Sequence, residues 1–302
     1  MNLRNVLIVT TTLAAGTAFA ADGNFDKTYS LTGPATVSVS TGSGYVHVYP
    51  GPGNQVHIVG HVHSRPGILG GNSDEAVRRI VTDPPIVQSG NTITVSNRHD
   101  DSELFRNISI DYDVTTPATT TLKAGTGSGS IEIGGIETGI TAHTGSGDIH
   151  VDNVGANVQL DTGSGSVRAT NVHGGGVLQT GSGRIELSVS GPGDVRTKTG
   201  SGSIHVDGVN GGVRADTGSG SIDIAGNPTS EWRASSGSGS IELNPTANAR
   251  FNFDAQSGSG GIHVDRPIVM QGSLNRHHVT GTVNGGGPTL RASTGSGSIN
   301  VH

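Results

Sequence analysis

A four-residue motif, [Ser/Thr]-Gly-Ser-Gly, returns ten times along the chain, and its spacing limits the possible folds more than any other feature. The copies begin at Thr41, Thr126, Thr144, Thr162, Thr180, Thr199, Thr217, Ser236, Ser257 and Thr294. From Thr126 onward the intervals are 18, 18, 18, 19, 18, 19, 21 and 37 residues. A unit this short cannot bury a core alone, so a fixed period of this size implies units that stack and share one. The last interval reads as two repeats whose middle copy is degenerate.

Alignment on the motif shows which positions face inward. Five residues after its first position stand Ile131, Ile149, Val167, Ile185, Ile204, Ile222, Ile241, Ile262 and Ile299, and two further on stand Ile133, Val151, Ala169, Leu187, Val206, Ile224, Leu243, Val264 and Val301. The position between them is mostly polar or charged: Glu132, His150, Arg168, Glu186, His205, Asp223, Glu242, His263 and Asn300. Alternation with period two is the signature of a strand with one buried face. A second strand precedes each motif, with Leu122, Ile140, Val158, Val195, Val213, Trp232, Phe253 and Leu290 four residues ahead of it. No repeat carries a helical pattern. The predicted fold is all-β: a parallel β-solenoid, or β-helix, with coils of about 18 residues. Gly-Ser-Gly supplies a corner, because glycine tolerates positive φ and close backbone approach.

Residues 21–120 depart from this regularity. They hold one good motif copy, Thr41–Val48, and alternating segments at Gln55–His63 and Asn91–Asn97. A single helix is predicted over Asn72–Val81, with Ser73 as cap, Asp74 and Glu75 in the first turn, and Arg78 and Arg79 near its end. This part reads as an irregular β-rich N-terminal cap, and 121–302 as the regular solenoid. Residues 1–20 read as a signal peptide: Arg4, then an apolar run, then Ala18-Phe19-Ala20 as a cleavage site. Its removal leaves 17 basic against 24 acidic side chains, a net charge near −7. That balance predicts no nucleic-acid partner. No later segment reaches the ~18 apolar residues of a membrane-spanning helix. The expected location is outside the cytoplasm, in the periplasm or at the cell surface. The absence of cysteine excludes disulfides, thiol catalysis and thiolate metal sites.

The run Ile110-Asp-Tyr-Asp-Val-Thr-Thr-Pro-Ala-Thr-Thr-Thr-Leu122, followed by repeated Thr-Gly-Ser-Gly-[Ser/Asp]-Ile-x-[Val/Ile], resembles a bacterial adhesin-like family of β-strand-repeat proteins, a domain of unknown function. The resemblance covers residues 24–302. It implies an exported β-solenoid with a surface or adhesive role, and it brings no catalytic residues with it.

Several chemistries can be weighed against the repeat. A calcium roll needs stacked carboxylates, since Ca²⁺ takes 6–8 oxygen ligands. The position that would supply them holds one aspartate, Asp148, among serines, glycine and arginine. A phosphate-cradling loop needs a following helix and a lysine, and neither follows the motif. Threonine arrays of the ice-binding kind need flat strands, whereas flanking glycines indicate a corner. His57, His61 and His63 are weak metal candidates, with no third converging ligand that the sequence identifies. Enzymatic glycan cleavage needs two acids about 5–9.5 Å apart, and the available carboxylates occupy positions that simply vary among polar residues. Only Arg266–Gly287, with His277 and His278, invites a search for a pocket. No catalytic residue and no cofactor are therefore assigned.

The sharpest feature is basic. Arg196, Arg214 and Arg233 fall three residues before consecutive motifs, and Lys198 shares the strand face of Arg196. A row of arginine forks suits carboxylates and phosphates. The expected function is non-catalytic: an adhesin or envelope binding protein that uses a long repeat face to hold an envelope glycan or protein partner. The alternatives are a passive scaffold and, third, a polysaccharide-acting β-helix enzyme. Because the chain ends on a motif copy at Thr294–His302, end-to-end self-association of exposed terminal coils is also expected.

Overall fold

The inward columns of the repeat become strands stacked in parallel and in register. In the computed structural model, Ile140 lies between Leu122 and Val158, and Ile149 lies between Ile131 and Val167. The structure describes residues 22–64, 73–96, 104–270 and 276–302. The proposed signal peptide lies outside them. Apart from the helix Ser73–Thr82, the regular elements are strands. One apolar core runs from Phe25 to Val301. Ile131, Ile149, Val167, Ile185, Ile204, Ile222, Ile241 and Ile299 are all buried within it. Among the described residues no helix is long and apolar enough to cross a membrane.

The Gly-Ser-Gly corner is more than a bend. Each motif's first residue is buried. From Thr126 onward its hydroxyl donates to the carbonyl of the second motif glycine on the adjacent coil, whereas Thr41 at the N-terminal end donates to the carbonyls of Ile110 and Ser43. Thr144 reaches Gly129 at 2.9 Å, Thr162 reaches Gly147 at 2.8 Å and Thr180 reaches Gly165 at 2.7 Å. From Thr144 onward the same oxygen accepts from the N–H of its own second glycine, as from Gly165 N to Thr162 at 3.2 Å. This buried oxygen uses both donor and acceptor capacity, which explains why the position is always Thr or Ser. The glycines serve close approach. A Cβ on Gly147, Gly165 or Gly183 would sit inside the carbonyl of the neighbouring coil's second glycine. Among the motif glycines only Gly44 has positive φ, at 123°. The structure thus corrects the corner reading: freedom in φ is needed at one copy, and absence of a side chain at the rest.

At both ends the coils do not stack in sequence order. The strand Thr289–Thr294 pairs with the last part of Ile222–Ser236 on one edge and with Phe251–Ser257 on the other. Ile299–Val301 likewise lies between Ile241–Pro245 and Ile262–Val264. The C-terminal motif copy is therefore inserted between the copies at Ser236 and Ser257. The long interval is not a degenerate coil. The described part of it contributes His278–Val283, antiparallel to the outer edge of Phe251–Ser257, with Val269–Met270 paired beyond it. The motif copy at Thr294 is thus interior and not terminal; the outermost coil holds Phe251–Ser257, covered by the antiparallel strand His278–Val283, and Ile262–Val264, which pairs on one side alone among the described strands. Arg266 fastens this end. Its guanidinium donates to the carbonyls of Pro245, Thr246 (2.9 Å), Ala247 (3.2 Å) and His302 (2.7 Å), and burial lowers its pKa.

The N-terminal end repeats the device. Thr36–Ser43 lies between Thr121–Ser128 and Thr92–Val95, and Val46–Pro50 lies between Ile131–Gly134 and Ile108–Thr116. Two antiparallel strands, Gln55–Ser64 and Asp22–Ser30, extend the sheet outward. The helix packs against both with Val77 and Ile80 buried. It starts and ends one residue later than the sequence predicts. Gly60 leaves room for the Phe25 ring, which meets Tyr112 edge-on at 6.2 Å.

Candidate binding groove

The second strand of each coil places one outward residue three positions before the motif. In spatial order this column reads Lys123, Thr141, Gln159, Val177, Arg196, Arg214, Arg233, Arg291 and Asp254, each in register with the next. The inserted C-terminal coil brings Arg291 beside Arg233, although they are 58 residues apart in sequence. The three expected arginines are therefore four. Sequence reasoning missed Arg291 because Asp254 precedes it in chain order. The 37-residue interval before Thr294 was the available signal that this coil is irregular.

The column borders an open groove of about 860 Å³ that runs along the solenoid axis. Ile140, Thr141, Val158, Gln159 and Val177 line one half, and Arg196, Arg214, Arg233 and Arg291 line the other. From Ile140 to Arg291 it crosses six coil-to-coil steps, a length of roughly 29 Å at about 4.8 Å per step. No lining residue is aromatic, so a neutral sugar would find no ring to stack on. Ionic and hydrogen-bonding recognition is what this surface can offer.

The carboxylates near the row divide the arginines into two kinds. Arg214 Nε donates to Asp216 Oδ2 at 2.9 Å. Arg291 Nε lies 3.7 Å from Glu231 and 3.8 Å from Asp254. Asp194, in the groove wall, accepts the backbone N–H of Gly212 at 2.7 Å. Among the described residues, Arg196 and Arg233 make no ion pair or side-chain hydrogen bond, and both are exposed. Lys198 is exposed as well, but it stands one column away, beside Gln179 and Asp216. It does not line the groove.

The histidine candidates do not converge. His57 meets Asp26 at 2.7 Å, His61 meets Asn24 at 3.0 Å and Asp113 at 3.2 Å, and His63 meets Asp22 at 3.0 Å and Asp111 at 3.4 Å. Each imidazole ties neighbouring antiparallel strands together. Among the described residues no group of three His, Asp or Glu side chains has the arrangement of a metal site. In Arg266–Gly287, His278 meets Asp254 at 3.1 Å and His277 lies beside the Gly260 carbonyl. Residues 271–275 of that stretch lie outside the described residues.

No curated protein matches the sequence. Among solved structures, the chain is similar to a candidate cell adhesion protein from Clostridium sporogenes, with 12% identity, 93% of this chain and 99% of that chain covered, and a TM-score of 0.24. It is also similar to a candidate adhesin from Bacteroides fragilis, with 15% identity, 93% and 97% covered, and a TM-score of 0.38. Residues 78–302 match the family profile described as Toastrack DUF4097. That match spans well over half of the sequence, and the chain belongs to this family, the β-strand-repeat family of unknown function to which its motifs pointed.

Proposed function

We propose that this protein is an exported, adhesin-type binding protein that holds an extended anionic polymer of the cell envelope in the arginine-lined groove, without cleaving it. The observation that carries the reading is the register of Arg196, Arg214, Arg233 and Arg291 along one open, aromatic-free channel. Arginine forks bind carboxylates and phosphates in bidentate geometry. A row of them on a rigid scaffold meets a linear polyanion with little ordering cost on the protein side. The groove's length favours an extended ligand over a compact one. The leader-like first 20 residues support export to the periplasm or cell surface.

The test is cosedimentation of the 21–302 chain with insoluble acidic polysaccharides and with peptidoglycan. It is run beside a variant combining Arg196→Ala, Arg214→Ala and Arg233→Ala, at low and high salt. Binding by the parent that weakens with salt and disappears in the variant supports the reading. Equal binding by both proteins, or release of shortened polymer into solution, overturns it.

A further inference from the structure

Resting on that reading, we infer that the groove is matched to a linear glycan carrying one carboxylate on every second sugar. The argument starts from which arginines are free. Arg214 is held by Asp216 at 2.9 Å, and Arg291 sits between Glu231 and Asp254. Arg196 and Arg233 are unpaired among the described residues. Arg214 stands between them in register, so the two free forks are two coils apart. At about 4.8 Å per coil the separation is roughly 9.6 Å. That is close to the repeat length of an extended β-linked disaccharide. A carboxylate entering opposite Arg214 meets a guanidinium whose charge Asp216 already offsets, whereas one entering opposite Arg196 or Arg233 meets an unpaired guanidinium.

The rest of the groove fits the same ligand. Between acidic sugars such a polymer presents neutral, often N-acetylated rings. These need hydrogen-bonding partners and modest apolar contact. Beyond Arg196 the floor offers Gln159, Thr141, Val158 and Val177. A homopolymer with an acid on every ring would place a charge against these neutral residues. It would also place one against the Arg214–Asp216 pair, at a cost in repulsion or displacement.

The inference is tested by calorimetry with three probes of equal sugar count. One is a hyaluronate octasaccharide, with a ring carboxylate on alternate sugars. The second is a set of amidase-treated peptidoglycan strands, with a free lactyl carboxylate on alternate sugars. The third is an octagalacturonate, acidic at every ring. The expected result is that at least one alternating probe binds tenfold or more tightly than octagalacturonate. Preference between the first two distinguishes a ring carboxylate from a lactyl one. The variant Asp216→Asn removes the charge that offsets Arg214 and is expected to raise octagalacturonate affinity severalfold, narrowing the preference. Equal or tighter binding of octagalacturonate by the parent overturns the inference, and so does a preference that Asp216→Asn leaves unaltered. If Arg196→Ala with Arg233→Ala abolishes binding of all three probes without any preference having been seen, the groove reading stands and the alternating pattern falls. If none of the three probes binds, or the double variant binds them as the parent does, both fall. A thermal melt of each variant confirms folding, since the substituted side chains are exposed or half-buried on the surface.

Discussion

Two threonines inside the solenoid should answer one chemical change with opposite signs. Thr162 opens a motif; its hydroxyl donates to Gly147 O at 2.8 Å and accepts from Gly165 N at 3.2 Å. Thr197 is fully buried in an apolar column between Leu178 and Ala215. Its hydroxyl has no hydrogen-bond partner. Valine replaces the hydroxyl with a methyl at nearly the same shape. At position 162 this removes two hydrogen bonds, each worth about 0.5–1.5 kcal/mol net, and strips a carbonyl and an N–H of their partner. Gly147 and Gly165 are part-exposed, so water recovers some of that loss. The expected destabilisation by Thr162→Val is about 1.5–3 kcal/mol. At position 197 the parent already bears the cost of an unpartnered hydroxyl, about 1–3 kcal/mol on mutational scales. Thr197→Val should therefore stabilise by about 1 kcal/mol. With about 2–4 °C of Tm per kcal/mol for a chain of this class, the first variant melts several degrees lower and the second a few degrees higher. Urea unfolding followed by far-ultraviolet circular dichroism and by the single tryptophan, Trp232, measures both. Shifts of the same sign in the two variants would refute the account of the motif hydroxyl as a coil-to-coil staple.

Three further outcomes are expected. Gly165→Ala would push a methyl into the Gly147 carbonyl; a loss of about 3 kcal/mol or more in urea unfolding is predicted, against near-neutral behaviour of Gly261→Ala, where an added Cβ meets nothing within 4 Å and φ is not positive. Arg266→Ala leaves the carbonyls of Pro245, Thr246, Ala247 and His302 without their shared donor; hydrogen exchange should accelerate at both segments while groove binding is retained. Truncation after Gly287 removes the coil that separates Trp232 from Phe253. Limited proteolysis should then cut throughout 246–287, whereas a solenoid stacked in sequence order would lose its last coil alone.

How much of this was legible in the sequence depends on whether a feature is local to one repeat. The inward columns, the two strands per repeat and the helix within one residue were readable, because period-two alternation and capping are local signals. The hydroxyl staple was only half readable. An invariant Thr or Ser flanked by glycine indicated a corner, but which atom it bonds depends on the neighbouring coil. Coil order at the ends was not readable at all. The copies at Ser236, Ser257 and Thr294 present the same motif and similar apolar columns, so each could stack on either of the others. What decides is the path of the intervening chain: Arg266 anchoring one end, and His278–Val283 running back antiparallel along Phe251–Ser257. Lys198 misled for a related reason, since sharing a strand face with Arg196 does not place it in the same column of the stack.

The insertion of the last coil joins the cap and the groove. A parallel solenoid exposes strand edges at its ends, and such edges invite pairing with other chains. Here the chain passes outward to Phe251–Ser257, covers that strand on its outer edge, and returns to fill the space left beneath it. The filling strand carries Arg291, so the same insertion also lengthens the arginine row from three to four. Stacked in sequence order, Asp254 would face Arg233 and neutralise it. The insertion moves Asp254 one coil outward, where it faces Arg291 and meets His278. Arg233 is thereby left free. The spacing of free charge in the groove is thus a consequence of how the solenoid ends, and changes to the terminal coils should alter ligand preference even when every groove residue is kept.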